Sequence, residues 1–200
     1  MAVIIWVNGA FGAGKTQTAH ELQRRIPHSF IYDPENAGYF IRKNIPAEMA
    51  KSDFQDFPLW RETNYGMIKS IHEEYDGILI IPMTIVSPLY FDEIVGRLRR
   101  DGIPVHHFAL CATKETLLKR LRSRGEGERS WAARQIDRCS EGLSLPVFDR
   151  QMQTDTMMIP EVAETIANAV GIQLLPDGRG KLRRIYDKVM TQIRHIRFFQ

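Results

Sequence analysis

Residues 9–16 match the phosphate-binding pattern G-x-x-x-x-G-K-[ST], in which each residue type has a chemical use. Glycine leaves room for backbone N–H groups to wrap a phosphate, the lysine reaches the β- and γ-phosphates, and the final hydroxyl can bind Mg²⁺. Thr16 is therefore the predicted metal ligand; the alternative is a glycine-rich turn that matches by chance. The residues expected to bind ATP here are Gly9, Ala10, Phe11, Gly12, Ala13, Gly14, Lys15, Thr16 and Gln17.

A carboxylate that could act with this loop is Asp33, at the end of the second predicted strand. Residues just beyond the carboxyl ends of parallel strands face the ligand crevice of an α/β sheet. Asp33 could there accept the proton of an attacking hydroxyl or orient a metal. Alternatively, Asp33 and Glu35 form an ordinary turn and helix cap around Pro34. The acid that usually ends the magnesium-supporting strand is missing, since residues 82–84 are Pro-Met-Thr.

Arginines are concentrated on both sides of a glycine-containing stretch, Gly125–Gly127. Arg120 and Arg124 are four residues apart and share one helix face, and Arg129 follows the glycines. Mobile guanidinium groups that close over a site can stabilise the charge of phosphoryl transfer and exclude water. We therefore predict a lid at about residues 124–133; the alternative is a solvated, charged helix pair. The predicted catalytic residues are Lys15, Asp33, Arg124 and Arg129.

The elements that must position these groups alternate along the chain. Strands are predicted at residues 2–7, 29–32, 77–81, 104–110 and 152–155 from short apolar, β-branched runs. Helices are predicted at 16–26, 88–100, 114–124, 131–141 and 160–170, with a mostly helical stretch at 36–75. This alternation predicts an α/β fold of three layers, the P-loop NTPase fold, with helices on both faces of a five-stranded, mainly parallel sheet. The predicted domain spans residues 1–175.

Composition limits the remaining classes of protein. The chain has 200 residues, 44% of them hydrophobic and 26% charged, as in one globular domain. Its two cysteines form no C-x-x-C pair, and His106 and His107 point to opposite strand faces, so no zinc site is predicted. No apolar run approaches the ~20 residues of a membrane span and no secretory signal is present, so we expect a cytoplasmic protein. Met157 and Met158 are expected in the core.

Charge is distributed unevenly along the chain. Residues 179–200 carry seven basic residues and one acid, whereas residues 1–178 carry 20 basic and 23 acidic residues, which argues against a nucleic-acid-coating surface. In the tail, one helical stripe contains Leu182, Ile185, Tyr186, Val189, Ile193 and Ile196. Residues 176–200 are thus predicted to form a basic amphipathic helix that contacts an anionic membrane surface or docks on its own domain. If it contacts a membrane, deletion of residues 181–200 should reduce vesicle binding and leave ATP binding intact.

The lid region resembles the small-molecule and nucleoside-monophosphate kinase group, in which L-L-x-R-L-x-x-R-G leads into a lid. The resemblance implies that Arg120 packs on adenine and that Arg124 and Arg129 contact the transferred phosphate. Longer strings resemble the bacterial tunicamycin-resistance ATP-binding family: residues 4–19, 32–35, 56–61, 80–86, 105–108 and 130–139. That likeness implies protection against tunicamycin, a nucleoside antibiotic, and membrane attachment through the C-terminal segment. The aspartates usual after the first lid arginine are replaced here by Ser130-Trp131.

Residues 36–75 occupy the place where related kinases hold their acceptor. Arg42, Trp60, Arg61 and Tyr65, with Asp33, are the predicted substrate-binding residues, because they combine aromatic faces with hydrogen-bonding groups. Helical spacing allows the alternative that Trp60 faces the core. Three functions stay open: an ATP-dependent phosphotransferase acting on tunicamycin or a similar compound, a protein that binds tunicamycin without chemistry, and a kinase of an ordinary nucleotide or sugar.

Overall fold

The computed structural model describes residues 1–180, 183, 186, 187 and 189–191. Its sheet contains the strands β1 (Val3–Gly9), β2 (Ser29–Ile31), β3 (Ile78–Pro82), β4 (Val105–Cys111) and β5 (Gln151–Gln153). Their spatial order is β2-β3-β1-β4-β5, and every neighbouring pair is parallel. These strands therefore end at one common edge of the sheet, where ligands bind in open α/β folds.

Helices connect the strands and cover the sheet. They are α1 (Lys15–Arg25), α2 (Glu35–Lys43), α3 (Pro58–Glu74), α4 (Pro88–Phe91), α5 (Arg97–Arg100), α6 (Lys114–Arg122), α7 (Trp131–Arg134), α8 (Ile136–Leu143) and α9 (Ile159–Ala169). A π-helical turn (Asp92–Gly96) joins α4 to α5, and short 3-10 turns lie at Ala47–Met49 and Phe54–Asp56. Local chemistry sets several helix starts. The Thr113 and Ser130 side chains accept backbone N–H bonds in the first turns of α6 and α7.

Side chains of the central strands alternate between two apolar layers. One layer contains Trp6, Trp60, Leu79, Ile81 and Phe91. The other contains Ile5, Val7, Leu22, Ile80 and Ile166. Because both faces of the central strands are covered, these strands are apolar at nearly every position, which is why the sequence pattern identified them.

The predicted three-layer α/β fold with a five-stranded parallel sheet is confirmed, and the predicted element ends lie within two residues of the observed ones. In the part of the chain that the structure describes, no helix is long and apolar enough to cross a membrane. The amphipathic C-terminal helix stays a prediction, because residues 182, 185, 193 and 196 of its apolar stripe lie outside the described residues.

Candidate functional site

The phosphate loop connects the end of β1 to the start of α1. Gly12 and Gly14 have φ angles of 85° and 98°, which residues with side chains rarely adopt. A Cβ atom on Gly12 would also lie 2.9 Å from the carbonyl oxygen of Leu117. The loop thus needs glycine at these positions to hold its backbone N–H groups and the start of α1 around an anion.

Buried side chains fasten this loop to the segment after β3. The side-chain oxygen of Asn8 accepts hydrogen bonds from the Gly9 and Ile85 N–H groups at 2.8 and 3.0 Å. Its amide donates to the Ile85 carbonyl at 2.8 Å, and the Thr84 hydroxyl donates to the Gly9 carbonyl at 2.8 Å. Burial lowers the pKa of His107, so its neutral ring can accept from the Asn8 amide at 3.2 Å.

The Lys15 ammonium lies against the phosphate loop. Its Nζ donates to the carbonyl oxygens of Gly9 and Ala10 at 2.9 and 3.1 Å. Burial lowers the pKa of Lys15 to about 8, an effect that Cys139 and Glu35 oppose and Arg124 reinforces. An anionic ligand beside this amine would favour its charged form.

A cavity of about 750 Å³, here called the lysine-side cavity, opens between the phosphate loop, α2 and the lid. Its walls bring together these predicted site residues: Phe11, Gly12, Gly14, Lys15, Thr16, Asp33, Arg42 and Arg124. The Asp33 carboxylate also accepts the N–H of Glu35 at 3.0 Å, so it caps α2 as well as facing the cavity. Arg42 donates to the Ser52 carbonyl at 3.0 Å and lies over the Phe54 ring.

Three predicted substrate-binding residues lie elsewhere, which corrects their assignment. Trp60 is buried, and its indole N–H donates to the Pro34 carbonyl at 3.0 Å. Arg61 is buried in an ion pair with Glu93 and lies over the Tyr90 ring. The Tyr65 hydroxyl bonds to Asp101, and Arg97 stacks on its ring. Arg61 and Tyr65 thus join α3 to the segment of α4 and α5, whereas Trp60 joins α3 to the start of α2.

The lysine-side cavity also contains polar residues that the sequence did not assign to the site: Glu35, Asp53, Gln55 and Arg138. The buried Gln55 amide donates to the Thr84 carbonyl at 3.1 Å, which ties the segment before α3 to the residues that follow β3. Asp53 lies 3.8 Å from the Arg138 guanidinium, so α8 and the segment before α3 meet across the cavity. These residues are far apart in sequence. The signals present were the position of Glu35, two residues after Asp33, and the place of Arg138 among the arginines that follow Gly127.

The lid packs on the phosphate loop through aromatic rings. Trp131 contacts Phe11 edge-to-face, with ring centroids 4.9 Å apart, and Lys15 lies 5.4 Å from the Phe11 centroid. Gly125, with a φ of 82°, turns the chain out of α6 into the lid. Arg129 is exposed and does not line the lysine-side cavity, so its contact with phosphate stays a prediction.

A second cavity of about 760 Å³, the α9-side cavity, lies on the other side of the phosphate loop. Arg120 and Gln17, the two residues outside the phosphate loop that were predicted to contact the nucleotide, line it, and Arg120 donates to the Thr154 carbonyl and hydroxyl. Arg124 lines both cavities and therefore stands between them. Met157 and Met158 line this cavity too. Met158 is 62% exposed, so the prediction that it lies in the core is wrong, whereas Met157 is partly buried and packs against the core.

The metal prediction rests on Thr16, which faces the lysine-side cavity together with Asp33. Among the described residues, no group of three or more His, Cys, Asp or Glu side chains could hold a metal by itself. Mg²⁺ usually takes only one or two protein ligands beside phosphates and water, so a hydroxyl with a nearby carboxylate fits it. Thr84 stands where a strand-end acid would be, and its hydroxyl is bonded to Gly9.

The strand, phosphate loop and helix in this arrangement define a P-loop nucleotide-binding protein with the fold of small-molecule kinases. The sequence matches the AAA domain family over residues 4–146. The tunicamycin resistance protein of Deinococcus radiodurans has a similar structure, with a TM-score of 0.77 and 33% identity, over 88% of this chain and 100% of that one. The chain therefore belongs to the tunicamycin-resistance protein family within the AAA domain group.

More distant structures share the fold. A gluconokinase from Sinorhizobium meliloti matches with a TM-score of 0.57 at 15% identity, over 95% of this chain and 97% of that one. A shikimate kinase from Bacteroides thetaiotaomicron matches with a TM-score of 0.57 at 15% identity, over 85% and 99%. No curated protein sequence matches the chain. At these identities the two kinases show a common fold and leave the acceptor undefined.

Proposed function

We propose that the protein is an ATP-dependent phosphotransferase that moves the γ-phosphate of ATP to a hydroxyl of tunicamycin or a related nucleoside or sugar compound. The observation that carries this proposal is the lysine-side cavity, where Asp33 faces the same space as Lys15 and Arg124. A carboxylate beside a phosphate loop can accept the proton of an acceptor hydroxyl and so assist its phosphorylation. The cavity volume of about 750 Å³ suits a small organic acceptor.

The phosphate loop and Lys15 would hold the β- and γ-phosphates of ATP. Thr16 would bind Mg²⁺, which when bound neutralises charge on the phosphate oxygens. Arg120 would approach the base from the α9-side cavity, where its guanidinium is oriented by Thr154. Arg124 lines both cavities, so it would contact the γ-phosphate as that group passes from nucleotide to acceptor.

Asp33 would act as the base in the transfer step. It accepts the proton of the acceptor hydroxyl, whose oxygen forms a bond to the γ-phosphorus. The bond from that phosphorus to the β-phosphate oxygen breaks, and ADP leaves with the electron pair. Arg124 would stabilise the charge on the transferred group, and Arg129 would join it if the lid closes after Gly125.

Tunicamycin is the first acceptor to test because a relative at 33% identity is a tunicamycin resistance protein. Incubation with γ-labelled ATP, Mg²⁺ and tunicamycin, followed by mass spectrometry, should give a singly phosphorylated antibiotic. Asp33→Asn should lower kcat about 10²- to 10⁴-fold with little change in ATP affinity. Asp76→Asn, at an exposed aspartate that pairs with the N-terminus, is the matched control and should leave kcat unchanged.

The other outcomes separate the competing functions. Tunicamycin binding that depends on ATP, with no phosphorylated product, would reject phosphotransfer to this compound and favour sequestration. Turnover of a nucleotide or sugar panel without turnover of tunicamycin would identify a kinase of an ordinary metabolite. Full activity of Asp33→Asn would remove Asp33 from the role of base.

We also propose reversible contact between the basic tail and an anionic membrane surface. The support is sequence charge, since each basic residue near an anionic leaflet contributes about 1 kcal/mol. Cosedimentation of the full chain with phosphatidylserine vesicles and with neutral phosphatidylcholine vesicles tests it. Equal binding to both vesicle types, or binding to neither, would reject the electrostatic contact.

A further inference from the structure

The C-terminal segment returns to the nucleotide side of the domain. The described tail residues that line the α9-side cavity are Arg179, Arg183, Tyr186, Asp187, Met190 and Thr191. The same cavity is bordered by Gly12, Gly14 and Arg120. One wall of the space beside the phosphate loop therefore comes from the tail.

Arg179 anchors the tail at the edge of this cavity. Its guanidinium lies 2.8 Å from Asp177, 2.9 Å from Asp187 and 2.6 Å from Glu21. Glu21 is a buried residue of α1, and the Arg179 side chain is only 15% exposed. Several charge-assisted hydrogen bonds to carboxylates in a partly buried place fix the position of Arg179 more firmly than one exposed ion pair would.

The chain before Arg179 is fixed as well. The Leu175 N–H donates to the Arg25 carbonyl at 2.8 Å, and the Arg25 side chain donates to the Leu175 carbonyl at 2.8 Å. Arg25 also pairs with Glu164 of α9 at 2.8 Å. The tail thus leaves the domain from a defined point between α1 and α9, directly beside the α9-side cavity.

The position of this cavity indicates what enters it. When phosphates bind the loop between β1 and α1, the rest of the nucleotide must extend away from Lys15. The α9-side cavity lies on that path, with Arg120 and Arg124 at its border. Tyr186, 55% exposed, and Met190 line it together with Met158, and such aromatic and thioether groups pack well on a flat base.

We propose that Tyr186 and Met190, held in place by Arg179, form part of the base-binding site, so that nucleotide affinity depends on the tail. The inference rests on the nucleotide binding described above and adds residues outside the phosphate loop and lid. It also replaces the expectation from sequence that deletion of residues 181–200 would leave ATP binding intact. If the tail also contacts an anionic membrane surface, that contact and the contact with the base would compete for the same tail residues.

The test compares two ligands on the full-length chain. Isothermal titration with ATP and with inorganic tripolyphosphate, both with Mg²⁺, separates base contacts from phosphate contacts. Tyr186→Ala should weaken ATP binding about 3- to 10-fold, the range for loss of one aromatic contact, with tripolyphosphate affinity unchanged. Met190→Ala should act in the same direction, and Arg179→Ala should weaken ATP binding further by releasing the anchor. Arg122→Ala is the control, since Arg122 is an exposed arginine that pairs with Glu128 and lines neither cavity.

Two results would overturn the proposal. Unchanged or tighter ATP binding by Tyr186→Ala and Met190→Ala would show that the tail does not support the base. Equal losses for ATP and tripolyphosphate would place the effect at the phosphate loop instead. If Arg179→Ala fails to fold, the other two variants decide, because the exposed Tyr186 is not needed for the core. Failure of the unaltered chain to bind either ligand would reject the nucleotide site itself, together with this inference.

Discussion

Replacement of Lys15 by methionine should stabilise the nucleotide-free protein while abolishing nucleotide binding. Burial lowers the pKa of Lys15 from 10.5 to about 8, so the fold disfavours the charged amine that the unfolded chain hydrates freely. Methionine keeps a similar length without the charge. Lys15, which we propose to bind the nucleotide, is therefore expected to destabilise the nucleotide-free fold.

The size of the effect follows from the geometry. A pKa lowered from 10.5 to about 8 corresponds to roughly 3 kcal/mol against the charged form, which partial exposure of Lys15 reduces to about 1–3 kcal/mol. The two hydrogen bonds of Lys15 are lost, at a cost of about 1 kcal/mol. The two backbone carbonyls that accept from Lys15 keep other hydrogen-bond donors: the Thr84 hydroxyl for Gly9 and the Ala13 N–H for Ala10. We therefore expect a net gain of up to about 2 kcal/mol near neutral pH.

Urea unfolding of both proteins without nucleotide, at about pH 7 and about pH 9.5, measures this gain. Between the folded pKa and 10.5 the unfolded chain binds the extra proton, so wild-type stability rises with pH and the advantage of Lys15→Met shrinks. Lys119→Met, at an exposed lysine of α6, is the control and should change stability by less than about 0.5 kcal/mol at both pH values. Two results would refute the reasoning: a Lys15→Met protein that is less stable than wild type at neutral pH, or a stability difference between the two proteins that is the same at both pH values.

Two further predictions concern the same loop. Bound phosphates favour the charged Lys15 amine, so the affinity for ATP should fall as the pH rises above about 8, and binding should take up protons. Titration calorimetry in buffers of different ionisation enthalpy measures both effects. An ATP affinity that does not change with pH would contradict this prediction. Asn8→Ala removes the hydrogen-bond partners of the buried Gly9 and Ile85 backbone groups, and urea unfolding should show a loss of stability of about 3–5 kcal/mol. The control is Asn168→Ala on the exposed side of α9, which should cost less than about 0.5 kcal/mol. Equal effects of the two substitutions would show that the Asn8 bonds do not hold the loop in place.

The fold could be predicted from sequence because its signals are local. Apolar β-branched runs such as residues 2–7 mark buried parallel strands, and Pro58, Thr113 and Ser130 mark helix starts at positions where their chemistry is useful. The phosphate loop is also local, since its function depends on neighbouring backbone groups. These parts need no knowledge of distant contacts.

The substrate-binding residues predicted within residues 36–75 could not be identified from local signals in the same way. Arg61 and Tyr65 have side chains suited to substrate binding, but Glu93 and Asp101, more than 30 residues away, are their partners. Conversely, Asp53 and Arg138 become neighbours only when α8 packs against the segment that precedes α3. A polar side chain on a helix has the same local pattern whether it faces a cavity or an ion pair.

The sequence by itself determined the phosphate loop, the alternating elements and the charge of the tail, because each is encoded by residues next to one another. Only the tertiary structure decided which carboxylates and arginines share the cavity with Lys15, and that Tyr186 and Met190 line the α9-side cavity. The physical reason is that burial and long-range pairing set the pKa of Lys15, the anchoring of Arg179 and the walls of both cavities. Those contacts form between segments that the chain order keeps apart.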